Sequence, residues 1–216
     1  MATKATKRKR TPTKRKPTRP WNRGKKLPPE PLTGDEAKAL IKAASNRAPT
    51  GIRNRALLVV LYRGGLRISE ALSLKPKDLD HKNQTIRVLH GKGDRSRTVG
   101  LDTGAWTVLE RWLDRRKQLG LTGWQRLFST LQGHPMSDRY VRAMIVRLAK
   151  RAGIEKRVHP HGLRHSHAAE LANEGTPLHV IQQQLGHSSL ATTDRYVRHL
   201  APTEVVKAMQ GREWEL

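Results

Sequence analysis

His159-Pro160-His161-Gly162-Leu163-Arg164-His165-Ser166, then Leu185-Gly186-His187, then Tyr196, is the stretch on which the reading of this chain turns. It gathers a phenolic nucleophile, two proton-handling imidazoles and a fixed positive charge, the parts needed to attack a phosphodiester through a covalent protein–phosphate intermediate. On a helix, His161 and Arg164 are i and i+3, so both side chains point to one face. The glycine of Leu185-Gly186-His187 suits a helix C-terminal stop that turns His187 toward a neighbouring surface. Tyr196 follows nine residues after His187. Taken singly, each residue reads as an ordinary polar position in a His-rich chain. Their joint meaning is decided by the rest of the sequence.

Charge is the strongest global feature. The 216 residues carry a formal net charge of +25, and residues 1–26 hold 12 Lys and Arg without one acid. The remaining residues still set 31 basic side chains against 18 acidic ones. An excess on that scale, in both the N-terminal segment and the body, calls for a polyanion, and nucleic acid is the default partner. A membrane fits poorly: the longest apolar run, 56–62, is far too short to span a bilayer, and no hydrophobic segment follows the basic N-terminus. With no cysteine there is no disulfide, thiol nucleophile or cysteine-based zinc site. The composition predicts a cytoplasmic, nucleoid-associated protein.

In chain order, residues 1–32 read as a disordered basic arm and a proline-rich hinge, with Lys7, Arg8, Lys9, Arg10, Lys14, Arg15 and Lys16 expected on DNA phosphates. Thr33-Gly34-Asp35-Glu36 is a capping box opening a helix over 33–45. A second helix is predicted over 52–63, apolar enough to be central, and it stops at Gly64-Gly65. In Leu66-Arg67-Ile68-Ser69-Glu70, a helix restarts behind an arginine flanked by apolar residues, so its charge is either paired or aimed into a cleft, with Glu70 close enough to orient it. Alternation over 85–89 and again over 95–99 predicts a hairpin whose turn presents Lys92 between two glycines, with Arg95 and Arg97 on the returning strand as further DNA contacts. Helical patterns fill 103–119, 137–152, 160–174, 177–185, 190–197 and 202–209. The expected fold is mainly α with a small antiparallel β-sheet, occupying 33–210, and 211–216 form a short tail.

Arg67, Lys92, His161 with Arg164, His187 and Tyr196, in that order, make the chain resemble the catalytic domain of the tyrosine recombinases, the phage-integrase-like and Xer-like site-specific enzymes. The resemblance runs over roughly residues 30–210 and implies that fold. It implies that Tyr196 attacks the scissile phosphate, leaving a 3′-phosphotyrosyl link and a free 5′-hydroxyl. It further implies that Arg67 and Arg164 clamp the nonbridging oxygens, Lys92 protonates the leaving oxygen, and His161 transfers protons. His187 would bond or buttress the phosphate, and Glu70 would support Arg67. A homotetramer on DNA, with room for accessory DNA-bending proteins, is implied too; no cofactor or metal is. A phenol with a pKa near 10 needs a base or surrounding positive charge to attack at neutral pH, which agrees with these residue types. Of three tyrosines, Tyr62 lies in the apolar helix and Tyr140 on an amphipathic one, which leaves Tyr196.

Most of that family place a helical core-binding domain before the catalytic one, whereas only the arm and hinge precede Thr33, a layout similar to the short recombinases that invert fimbrial promoters. Three rival readings stand beside this one. A type IB topoisomerase uses similar chemistry to relax supercoils. An architectural DNA-binding protein would explain the charge but none of the six catalytic side chains. A zinc site from His159, His161, His165 and His167 has i, i+4 spacing at 161 and 165, without an HExxH pattern to support it.

Overall fold

The apolar run at 56–62 becomes the axis of the molecule. In a computed structural model, which describes residues 30–89, 96–186 and 210, it lies within helix α2 (Pro49–Tyr62), and every residue from Ala56 to Tyr62 is buried. Helices α1 (Gly34–Ala43), α3 (Ile68–Ser73), α4 (Thr103–Gln118) and α6 (Pro160–Asn173) pack around it. A helix apolar on all sides has no face for water and must sit inside. Leu57, Leu58 and Leu61 expose nothing, and truncating a leucine so placed to alanine costs about 2–5 kcal/mol. The helix starts three residues before the expected 52, because Pro49 occupies its first turn, where the ring sets φ and the missing N–H is not needed.

The capping box of α1 forms as expected: Thr33 Oγ1 accepts from the Glu36 N–H at 3.2 Å, and Glu36 Oε2 accepts from the Thr33 N–H at 2.8 Å. Just upstream, the Leu32 N–H donates to Ser166 Oγ on α6 at 2.7 Å, and Lys156 pairs with Glu36 at 2.7 Å. The point where the N-terminal segment joins the domain is thus fastened to α6. Helix α5 (Asp138–Arg151) is capped by Ser137, whose hydroxyl accepts from the Tyr140 N–H. The irregular segment between α4 and α5 is held from beneath by Trp112 Nε1 on the Leu127 carbonyl (2.9 Å), Arg116 on the Arg126 carbonyl (3.0 Å) and Arg53 on the Ser129 carbonyl (3.1 Å).

The sheet is antiparallel in the order β1 (Leu79–Asp80), β2 (Thr85–Val88), β3 (Arg97–Gly100), with Ile86 opposite Val99. Strand β1 was not expected, since two residues are too few to show alternation. The turn at 90–95, and the helices expected over 190–197 and 202–209, lie outside the described residues. No described helix is long and apolar enough to cross a membrane.

Arg63, ending α2, donates to Asp102, the N-cap of α4, at 2.7 Å and to Glu170 of α6 at 2.6 Å. This ties three helices around the Gly64-Gly65 turn. His167 lies buried beside that turn, and neither ring nitrogen has a hydrogen-bond partner among the described residues. Burial, then the charges of Arg63 and Arg164, push its pKa down to about 4.

The imidazole is therefore neutral in the fold and regains its ordinary value of 6.5 on unfolding. As pH falls, the unfolded chain takes up the proton first, so this contribution is complete above pH 6.5 and is lost as pH drops toward 4. The difference is worth on the order of 3 kcal/mol. Urea unfolding across that range should show a flatter loss of stability in His167→Phe, which keeps a ring but cannot bind a proton. An unchanged pH slope would place its source elsewhere.

Candidate active site

The site is built on the end of a short helix. Helix α7 (Leu178–Leu185) stops at Gly186, which adopts φ +64° and returns its N–H to the Gln182 carbonyl at 2.8 Å. The stop expected from Leu-Gly-His is present. A helix end leaves its last carbonyls unpaired and carries the negative end of the dipole, so cations belong there. Three arginines from three other elements supply them. Arg97 of β3 donates through Nε to the Gln184 carbonyl (3.3 Å), Arg164 of α6 through Nη2 to that of Leu185, and Arg67, N-cap of α3, through Nη2 to that of Gly186 (3.4 Å).

Arg164 is buried and also donates through Nη1 to the Gly65 carbonyl. Gly65 has φ +61°, and a Cβ there would lie 2.7 Å from Leu185 Cδ2 and 2.8 Å from His167 Cδ2. The glycine pair thus lets backbone approach α6 and α7 closely enough to hold the guanidinium. His161, one turn before Arg164, opens to solvent on one side and is crowded on the other. That crowding, followed by the positive charges of Arg164, His159 and Arg67, lowers its pKa, so the ring is neutral at pH 7 and free to accept a proton. Its ring packs edge-on against His165 with centroids 4.1 Å apart. Among the described residues, no three His, Cys, Asp or Glu side chains group to hold a metal.

Glu70 joins the two outer arginines. Its side chain is 3% exposed yet accepts four bonds: Arg67 N–H (2.8 Å), Arg67 Nη1 (2.8 Å), Arg97 Nη1 (2.9 Å) and Arg97 Nη2 (2.8 Å). Burial works against its ionisation, but the hydrogen bonds from Arg97 and Arg67 outweigh it and hold the carboxyl at about 2. Arg97, expected as a DNA contact, has both ends of its fork on Glu70 and a side chain only 13% exposed. Arg67 keeps 44% of its side chain open. Lys92, Arg95, His187, Tyr196 and the basic residues Lys7, Arg8, Lys9, Arg10, Lys14, Arg15 and Lys16 lie outside the described residues.

One surface escaped the sequence reading. Arg139, Arg142, Ala143, Val146, Arg147 and Lys150 recur at 3–4 residue spacing along the exposed side of α5, opposite the buried Val141, Met144, Ile145 and Leu148. The signal was available: a helix basic on one face and apolar on the other, with Val146 left 61% exposed in the midst of the basic face.

Residues 30–202 match the family model described as the phage integrase family. Tyrosine recombinase XerC of Bacillus pumilus is 40% identical over 173 residues, which cover 78% of this chain and 56% of that protein. Tyrosine recombinase XerD of Ralstonia nicotianae is 39% identical over 191 residues, covering 86% and 61%. The chain thus spans a little over half the length of these relatives. Among solved structures, XerA recombinase superposes with a TM-score of 0.75 at 35% identity, covering 87% of this chain and 66% of that one. XerH site-specific recombinase, in a post-cleavage complex with its palindromic difH substrate, gives 0.71 at 30% identity, covering 85% and 53%.

Gly65→Ala should test the close approach at the Gly65 carbonyl that accepts from Arg164. Gly153 has a similar φ of +70° but open space around its Cβ position, so Gly153→Ala carries backbone strain alone, on the order of 1–3 kcal/mol. Gly65→Ala is expected to lose more in chemical denaturation, because a methyl also collides with Leu185 and His167. Equal losses would mean that the packing there contributes nothing.

Proposed function

The chain belongs to the phage integrase family, and from that premise we propose that it is a site-specific recombinase that cleaves and rejoins duplex DNA through a 3′-phosphotyrosyl intermediate. The observation that carries this reading is the convergence of Arg67, Arg164 and neutral His161 beside the end of α7, one residue before His187. Two guanidiniums gathered at one helix end supply fixed positive charge where negative charge builds on a pentavalent phosphorus. In the proposed reaction, the Tyr196 oxygen bonds to phosphorus with loss of its proton, and His161 acts in that proton transfer. The bond to the 5′-oxygen breaks, and Lys92 returns a proton to the leaving oxygen. One phosphodiester is exchanged for another, so attack by a 5′-hydroxyl on the phosphotyrosine reseals the strand without ATP. His187 bonds the phosphate in this scheme, and Glu70 orients Arg67.

Within this reading, the α5 face is the element that lies along a groove: Arg139, Arg142, Arg147 and Lys150 suit phosphates and base edges, while Ala143 and Val146 suit thymine methyls. Residues 1–32 are the basic arm that tracks the backbone, and the working form is a homotetramer on DNA in the cytoplasm, at the nucleoid.

The reading stands or falls on a covalent adduct. Incubated with DNA carrying its target, the protein should yield a protein–DNA band that survives denaturation, and Tyr196→Phe should bind DNA as well but give no band. A Phe variant that still cleaves would remove Tyr196 from the scheme.

For the arm, deletion of residues 1–26 removes 12 basic side chains. If about five of them contact phosphates, the slope of log K against log salt should fall by roughly 4–5, equally on target and random DNA, because phosphate contacts do not read bases. An unchanged slope, or a selective loss of target preference, would contradict this role.

A further inference from the structure

Arg97 has no part in the scheme above, yet its side chain makes three hydrogen bonds within the site. Its fork grips both oxygens of Glu70 at 2.9 and 2.8 Å, its Nε bonds the Gln184 carbonyl at 3.3 Å, and its guanidinium lies against Gly186, where a Cβ would come within 2.6–3.0 Å of it. The same Glu70 oxygens hold Arg67 by its backbone N–H and by Nη1, each at 2.8 Å.

We propose that Arg97 is a positioning residue that keeps Arg67 charged toward the substrate: it balances the buried Glu70 carboxylate and fixes that carboxylate against the end of α7. The proposal rests on the recombinase reading of the site. A buried carboxylate with Arg67 as its only cation would form a closed ion pair, whose field cancels at a phosphate a few ångströms away. With Arg97 on the far side, the triad of two guanidiniums and one carboxylate keeps a net charge of +1. The exposed part of that charge is Arg67, which is 44% open, against 13% for Arg97 and 3% for Glu70. Geometry matters as much as charge. Glu70 holds Arg67 at two points, so any swing of the carboxylate swings the guanidinium, and a bidentate fork is the strongest way to stop that swing. Lysine at 97 would supply the charge as a point, without the fork.

Single-turnover adduct formation at saturating DNA separates this role from a DNA contact. Arg97→Gln is expected to slow adduct formation by on the order of 100-fold or more, the scale for losing a transition-state donor, while the DNA dissociation constant and its salt slope stay unchanged. Arg97→Lys should fall between wild type and Gln. Because Arg97 acts through Glu70, Glu70→Gln combined with Arg97→Gln should be no slower than Arg97→Gln alone. Thermal melts of each variant identify any that fail to fold, and Arg97→Lys, which keeps the charge, is then the deciding variant.

Weakened DNA binding with a salt slope lower by about 0.9 and a normal rate at saturation would make Arg97 a phosphate contact and overturn the proposal. Multiplicative losses in the double variant would overturn it too. Arginine side-chain 15N spectra of the DNA-free protein test the link without any reaction. The Arg67 guanidinium signal should shift and exchange faster in Arg97→Gln, and an unmoved signal would refute the link even if wild type forms no adduct.

Discussion

Everything in the site depends on how the end of α7 is neutralised. Three consecutive carbonyls, Gln184, Leu185 and Gly186, point their lone pairs out of the helix and are met by Arg97, Arg164 and Arg67. These arginines come from β3, α6 and the N-cap of α3, so one eight-residue helix fixes the relative placement of a strand and two helices. The glycine at 186 makes this feasible twice over. Its left-handed φ stops the helix, and its missing Cβ leaves room for Arg97.

Three like charges gathered at one helix end repel one another, and two features offset this. The dipole of α7 supplies a partial negative charge, and Glu70 supplies a full one, buried and hydrogen-bonded by both outer arginines. Arg164 rests on the Gly65 and Leu185 carbonyls. The two guanidiniums read as phosphate clamps are therefore held differently: Arg164 by fixed backbone, Arg67 by a carboxylate that another residue must steady.

How much of this could be read beforehand follows from how local each signal is. The Thr33–Glu36 capping box, the apolar run of α2, the Gly186 stop and the pairing of His161 with Arg164 depend on neighbours within a turn or two, and sequence spacing reports such neighbours. The shielding of Arg67 by Glu70, three residues away, was legible for the same reason. Arg97 was not. Its partner lies 27 residues back, and strand alternation says which side a residue faces, not what waits there. Gly65 read as a helix stop, while its service as acceptor for Arg164, 99 positions later, needs the folded chain. His167 read as one more histidine of a His-rich helix, and only packing made it neutral and buried.

The side chain of Gln184 has a consequence for solubility. Its amide accepts from the Gly100 N–H at 3.2 Å and donates to the Gly100 carbonyl at 3.0 Å, copying the pairing of a neighbouring strand. Gly100 belongs to β3, which lies at the edge of the sheet among the described residues, and an unpaired strand edge is a template for intermolecular association. Helix α7 therefore masks the sticky edge of the same sheet that delivers Arg97 to its carbonyls. Any motion that lifts α7 from β3 would bare that edge while dismantling the arginine cluster, so self-association and loss of the site would arise together.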